Sequence, residues 1–187
     1  SNTGMLLLGA IIEKVTGQDY YAHIQENICR PAGMNNTGFY EMDLPVPNLA
    51  IGYEKEYTEA GEILWRNNIF DHSLKGGPAG GGFSTVEDLL KFAAAFESDE
   101  LISKESRELL TTPKRELKST FYGYGFNVQQ KNGVRYYGHS GGFKGISAEL
   151  HIFPDTGYTV AILSNRTGGV LILSNKFLEL LTIPDSK

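Results

Sequence analysis

Five consecutive residues, Gly138-His139-Ser140-Gly141-Gly142, set an imidazole beside a hydroxyl and follow both with glycines. The run satisfies G-x-S-x-G, the pattern of a nucleophile elbow, in which a strained strand-to-helix turn exposes a serine. An elbow must run into a helix. Here residues Ile146 to Phe153 alternate apolar and polar with period two and predict a strand. The same five residues fit a second chemistry, an edge strand that offers a basic side chain, a hydroxyl and then glycines, so that a substrate backbone can come close.

Other reactive side chains are sparse. His23, His72 and His151 lack metal-ligand spacing, so neither a metal nor a cofactor is expected. Cys29 is the one cysteine; it follows an apolar helix face, precedes Arg30-Pro31, and reads as a small buried hydrophobe. The glycine run around Pro78 lacks the Gly-Lys-Ser/Thr ending of a phosphate loop and reads as a linker or lid. Ser1 is a nucleophile only if its own α-amine serves as base.

The elements that must hold these residues follow from periodicity and punctuation. Met5, Leu8, Ile11, Ile12 and Val15 recur at helical spacing before Gly17, and a second helix runs from Asp19 to about Ile28 before Pro31. Ile51 to Tyr57 and Glu62 to Arg66 pair as a hairpin around Ala60-Gly61. Ser84-Thr85-Val86-Glu87 reads as a capping box opening a core helix that ends near Phe96, and a shorter core helix follows Ser103. Then the pattern changes. Tyr122 to Gln129, Val134 to His139, Ile146 to Phe153 and Tyr158 to Ser164 read as strands of an antiparallel meander, closed by a helix bearing Leu171, Leu178 and Leu181. Helices and strands are segregated, so the expected class is α+β, an antiparallel sheet flanked by helices: one domain over 1–187, mainly helical over 1–120, with strands and a final helix over 121–187.

The 187 residues are 41% hydrophobic and 21% charged, enough for one core. A formal charge of -5 and a pI of about 5.4 leave no basic field for nucleic acid, and no apolar run comes near bilayer-spanning length.

Several stretches in register carry a resemblance. Ser1-Asn2-Thr3-Gly4 with the helix through Gly17 is similar to the end of a Tyr-x-Asn motif and the helix after it. Pro31-Ala32-Gly33-Met34-Asn35-Asn36-Thr37 resembles a Pro-Leu-Gly-Met-x-x-Thr turn, and His139-Ser140-Gly141 resembles a Lys-Thr-Gly or His-x-Gly strand motif. Ala79 to Leu89 and Phe153 to Asn165 match further stretches in order. By these residues, nearly the whole chain resembles the C-terminal part of the serine β-lactamase and penicillin-binding protein family, with its class C β-lactamases, D-alanyl-D-alanine carboxypeptidases and esterases.

The resemblance implies a partial class C β-lactamase or transpeptidase-like fold without its N-terminal strands and serine-bearing helix. It implies a bacterial parent enzyme, periplasmic or extracellular, that transfers an acyl group from a peptide, ester or lactam through a serine activated in S-x-x-K. No S-x-x-K occurs here, and the motif's tyrosine would fall just before Ser1. The chain therefore reads as a fragment, inactive alone and prone to self-association through an uncovered sheet edge. What carries over is Asn2 as an amide contact, His139 and Ser140 as substrate or proton-network contacts, and Gly141, Gly142 and Gly145 along the substrate, with the Gly142 amide as one oxyanion donor. Histidine for lysine and serine for threonine tilt the parent toward a peptidase or esterase. The alternatives are a non-catalytic peptide-binding module and a hydrolase that uses Ser140 or Ser1.

Overall fold

The computed structural model describes residues 1–183. Helix α1 (Asn2–Thr16) starts where the Ser1 hydroxyl accepts the Gly4 N–H and stops at Gly17, whose φ of 69° suits a residue without Cβ. Helix α2 (Tyr20–Ile24), capped by Asp19, does not stay α-helical to Ile28; Gln25–Cys29 widens into a π-helical turn that buries Cys29. Burial pushes the Cys29 thiol up, as expected for a packing residue.

Strands β1 (Tyr53–Tyr57) and β2 (Ile63–Asn67) form the expected hairpin. Helix α3 (Val86–Glu97) corrects the capping reading by one residue. Thr85, not Ser84, accepts the Asp88 N–H, and Glu87 takes no part in the cap. Asp88 is fully buried and holds the 36–37 turn onto α3, accepting from Asn36 N–H at 2.7 Å, Thr37 Oγ1 at 3.0 Å and Lys91 Nζ at 3.0 Å. Burial alone would push its carboxyl up; those donors outweigh it and hold the group below the usual carboxylate range.

After α4 (Lys104–Leu110) the meander β3 (Asn127–Lys131), β4 (Val134–Phe143), β5 (Ile146–Phe153) and β6 (Tyr158–Ser164) forms one antiparallel sheet in chain order. Two boundaries differ from the sequence expectation. Strand β3 starts at Asn127 instead of Tyr122, because Gly123 and Gly125 sit in a turn, and a Cβ at Gly123 would lie 2.0 Å from the Leu110 carbonyl oxygen. Strand β4 runs on through the glycines to Phe143, carried by its pairing with β5.

Two cores lie on opposite faces of the sheet. Val128, Tyr137 and Ile152 pack against Ala93 and Phe96 of α3, while Tyr136, Phe153, Val160 and Ile162 pack with Val170 under Leu178 and Leu181 of α5 (Leu171–Leu181). The apolar stripes of the helices are only partly buried. Helix α1 leaves Leu7 at 61%, Leu8 at 53%, Ile11 at 55% and Val15 at 78% exposed, and α4 buries no residue fully.

Candidate active site

The β4 edge is where the sequence placed the chemistry. Register fixes which backbone groups face outward. Lys131 and Val134 close a two-residue hairpin over Asn132-Gly133, so they exchange hydrogen bonds, as do Gln129 with Tyr136 and Asn127 with Gly138. Beyond Gly138, β3 has ended. The alternation then turns the backbone groups of His139, Gly141 and Phe143 toward β5 and leaves those of Ser140 and Gly142 pointing out of an open edge.

The glycines of this run differ in what they do. A Cβ at Gly138 would lie 1.8 Å from the Leu150 carbonyl oxygen, so packing with β5 requires glycine there. At Gly141 and Gly142 a Cβ would meet nothing closer than 4.0 Å and 3.9 Å. Nothing within the chain demands glycine at those two positions; they bare a stretch of strand.

His139 and Ser140 project to opposite faces, as neighbours in a strand must. Ser140 lies on the α5 side opposite Glu149, at a cleft of about 180 Å³ that also holds His151 and Ser174. His139 lies on the α3 side, where its Nε2 stands 2.9 Å from the Tyr122 hydroxyl and its Nδ1 2.7 Å from the Ser140 carbonyl oxygen. Tyr122 was hidden in the sequence by its assignment to a strand. The signal available was the alternation of glycine and aromatic residues over 122–126, which belongs to a turn.

The other candidates separate from this pair. Asn2 opens α1 at the surface, and no hydrogen bond among the described residues joins it to His139 or Ser140. Gly145 is buried in the β4–β5 turn with φ 71°, its N–H accepted by Glu54 and by Thr167 Oγ1, so it faces the β1–β2 hairpin and not the open edge. That hairpin clamps the turn. Buried Asn68 donates to the Lys144 carbonyl at 2.8 Å, and Lys144 pairs with Asp71 at 2.9 Å. Hydrogen bonds from Thr167 and the Gly145 amide hold the Glu54 carboxyl down.

His151 sits inside the α5 cleft, with Nε2 3.0 Å from Ser174 Oγ and 3.1 Å from Glu149 Oε2. Burial pushes the imidazole down and the Glu149 carboxyl up, against a downward pull from His139 on the latter. Hydroxyl and carboxylate meet the same nitrogen, so this is not a triad, in which an acid orients the far nitrogen of the base.

With this geometry in view, the family model described as Beta-lactamase matches residues 1–179. The chain belongs to the beta-lactamase family. This beta-lactamase-family chain is 34% identical over 178 residues to Penicillin-binding protein 4* of Bacillus subtilis (strain 168), spanning 89% of the chain and 39% of that protein. It is 33% identical to Putative penicillin-binding protein PbpX of the same organism, over 94% of the chain and 42% of the relative. Among solved structures, a penicillin binding protein from Bacillus halodurans superposes with a TM-score of 0.86 at 27% identity, covering 96% of this chain and 55% of that one. The octameric penicillin-binding protein homologue from Pyrococcus abyssi superposes with a TM-score of 0.75 at 27% identity, over 99% and 43%. The beta-lactamase-family chain thus spans about two fifths of the length of its curated relatives, and its α+β fold is that of penicillin-binding proteins.

Proposed function

We propose that this chain forms one wall of the active site of a serine hydrolase that transfers an acyl group from a peptide, ester or lactam. The observation that carries the reading is the open β4 edge: Gly141 and Gly142 bare the strand, the Gly142 N–H points outward as an oxyanion donor, and His139 with Tyr122 stands beside it. A substrate backbone laid along this edge would pair with it as an added strand. Asn2 joins the site as an amide contact once the preceding segment is in place. The nucleophile and its base belong to that segment, since the chain contains no S-x-x-K.

Alone, the chain binds without turning over. Its absence of S-x-x-K also favours a second reading, a peptide-binding module, which differs in that no longer form of the protein would acylate. Self-association through the bare α1 face and the outer edge of β6 fits both readings, and the octameric homologue is a precedent for assembly in the family.

The test is intact-mass measurement after treatment with a penicillin and, separately, a fluorophosphonate. The expected result is no adduct on the chain alone, and an adduct on the S-x-x-K serine of a longer protein that carries that segment ahead of Ser1. An adduct on Ser140 or Ser1 would overturn the reading. A longer protein that binds but never acylates would favour the module.

A further inference from the structure

The β1–β2 hairpin leaves one side of β2 without a partner, and its hydrogen bonds set which side. Thr58 N–H donates to the Glu62 carbonyl at 2.9 Å and Asn68 N–H to the Gly52 carbonyl at 3.0 Å, so both ends of the ladder are hydrogen-bonded pairs. Alternation between those ends makes Leu64 bond with Glu56 and Arg66 with Glu54. Ile63, Trp65 and Asn67 therefore turn their N–H and C=O groups outward. Among the described residues no strand pairs with that side. Natural edges are commonly blunted by proline, lysine or a bulge. This one reads Ile63-Leu64-Trp65-Arg66-Asn67, with every residue exposed and the register unbroken.

The side chains sort by face. Ile63 and Trp65 share one with Tyr53, Lys55 and Tyr57, while Glu62, Leu64 and Arg66 share the other with Glu54 and Glu56. A strand added to the open edge must meet it with its own outward groups. A second β2 can do so, antiparallel, about a twofold axis at Leu64, Trp65 or Arg66. An axis at Arg66 sets that arginine against its own counterpart. An axis at Trp65 sets Ile63 against Asn67 and Leu64 against Arg66. An axis at Leu64 sets Ile63 against Trp65, Leu64 against its counterpart, and Arg66 directly opposite Glu62. The Leu64 axis alone faces apolar with apolar and cation with carboxylate. Arg66 already reaches Glu56 at 2.6 Å, but both side chains are exposed, so that contact holds the guanidinium weakly.

We propose that β2 pairs with β2 of a second copy, antiparallel about a twofold axis at Leu64, joining the two hairpins into one four-stranded sheet. Ile63 and Trp65 exchange their outward hydrogen bonds on each side of the axis, and Arg66 of each copy meets Glu62 of the other. The surface is separate from α1 and β6, and it does not depend on the reading of the β4 edge. A two-stranded hairpin is marginal by itself, and the contacts of Glu54 and Asn68 hold only its base. A second copy supports the exposed tip around Tyr57 and Ile63. One strand a side is a small interface, of the weak kind that forms as concentration rises.

The test follows amide hydrogen exchange by nuclear magnetic resonance, together with mass by light scattering, as the chain is concentrated from the micromolar to the millimolar range. The Ile63 and Trp65 amides are expected to slow roughly tenfold once nine chains in ten are paired. Leu64 and Arg66, bonded to β1 in either state, stay protected throughout and certify the hairpin. Trp65 is the one tryptophan, so a shift of emission to shorter wavelength reports this edge directly. Glu62→Arg and Arg66→Glu each set like charges across the axis and are expected to raise the half-pairing concentration roughly tenfold. Mixing the two variants restores opposite signs at both places and is expected to bring the slow exchange back. A mass that rises while the Ile63 and Trp65 amides stay fast, or a chain that stays monomeric, overturns the proposal. Amides already slow in the dilute, single-copy chain overturn it too, since the edge is then covered from within. A mixture that pairs no better than either variant overturns the Leu64 axis.

Discussion

His151 makes the behaviour of a single buried group measurable. Its folded-state affinity for a proton is depressed by burial, so the unfolded chain binds a proton that the folded chain resists. The stability this group contributes is fully present above the ordinary histidine value of about 6.5 and is lost as pH falls below it. Glu149 runs the other way: with its carboxyl raised, its contribution is present at low pH and lost as pH climbs through the raised value. Between about pH 7 and pH 5.5 the two groups act in opposite directions, and of the two only the histidine contributes a loss of stability as pH falls. His151→Gln is therefore expected to flatten the fall in melting temperature over that range. A slope as steep as that of the parent chain would show that His151 is not its source.

At the scale of the element, β4 carries two kinds of glycine that look alike in sequence. Gly138→Ala drives a methyl into the Leu150 carbonyl and is expected to cost roughly 2–3 kcal/mol in chemical denaturation. Gly142→Val meets nothing within the chain and places a β-branched residue in a strand, so its stability is expected to change by less than about 1 kcal/mol. The same valine stands on the bare stretch of edge and is expected to abolish binding of the acyl donor N-acetyl-D-alanine methyl ester. A valine variant that unfolds, or that binds the ester unchanged, would detach the glycines from any role in admitting a ligand. Neither effect depends on His139, which lies on the other side of the Ser140 peptide.

For the whole molecule, the question is what covers the apolar surface. Leu8, Ile11 and Val15 form an exposed stripe on α1, and β6 has no strand on its outer side among the described residues. Exposed stripes and open sheet edges drive association. Light scattering is expected to show mass rising with concentration, and the double change Leu8→Glu with Ile11→Glu is expected to bring it toward that of one chain. A chain that stays monomeric at high concentration would rule out association through these surfaces.

The sequence by itself determined the local elements and the family. Gly17 as a helix stop, Asn132-Gly133 as a hairpin turn, the period-two run from Ile146 to Phe153 and the His139-Ser140-Gly141 motif are all set by neighbours in the chain, which periodicity reads directly. Only the tertiary structure decided three things. Pairing with β5 extended β4 through its glycines to Phe143. The end of β3 at Asn127 left Ser140 and Gly142 facing an open edge. Folding of the 119–126 turn brought Tyr122 onto His139 from 17 residues away. Each depends on a partner distant in sequence, and a strand's edge exists only relative to the strands beside it.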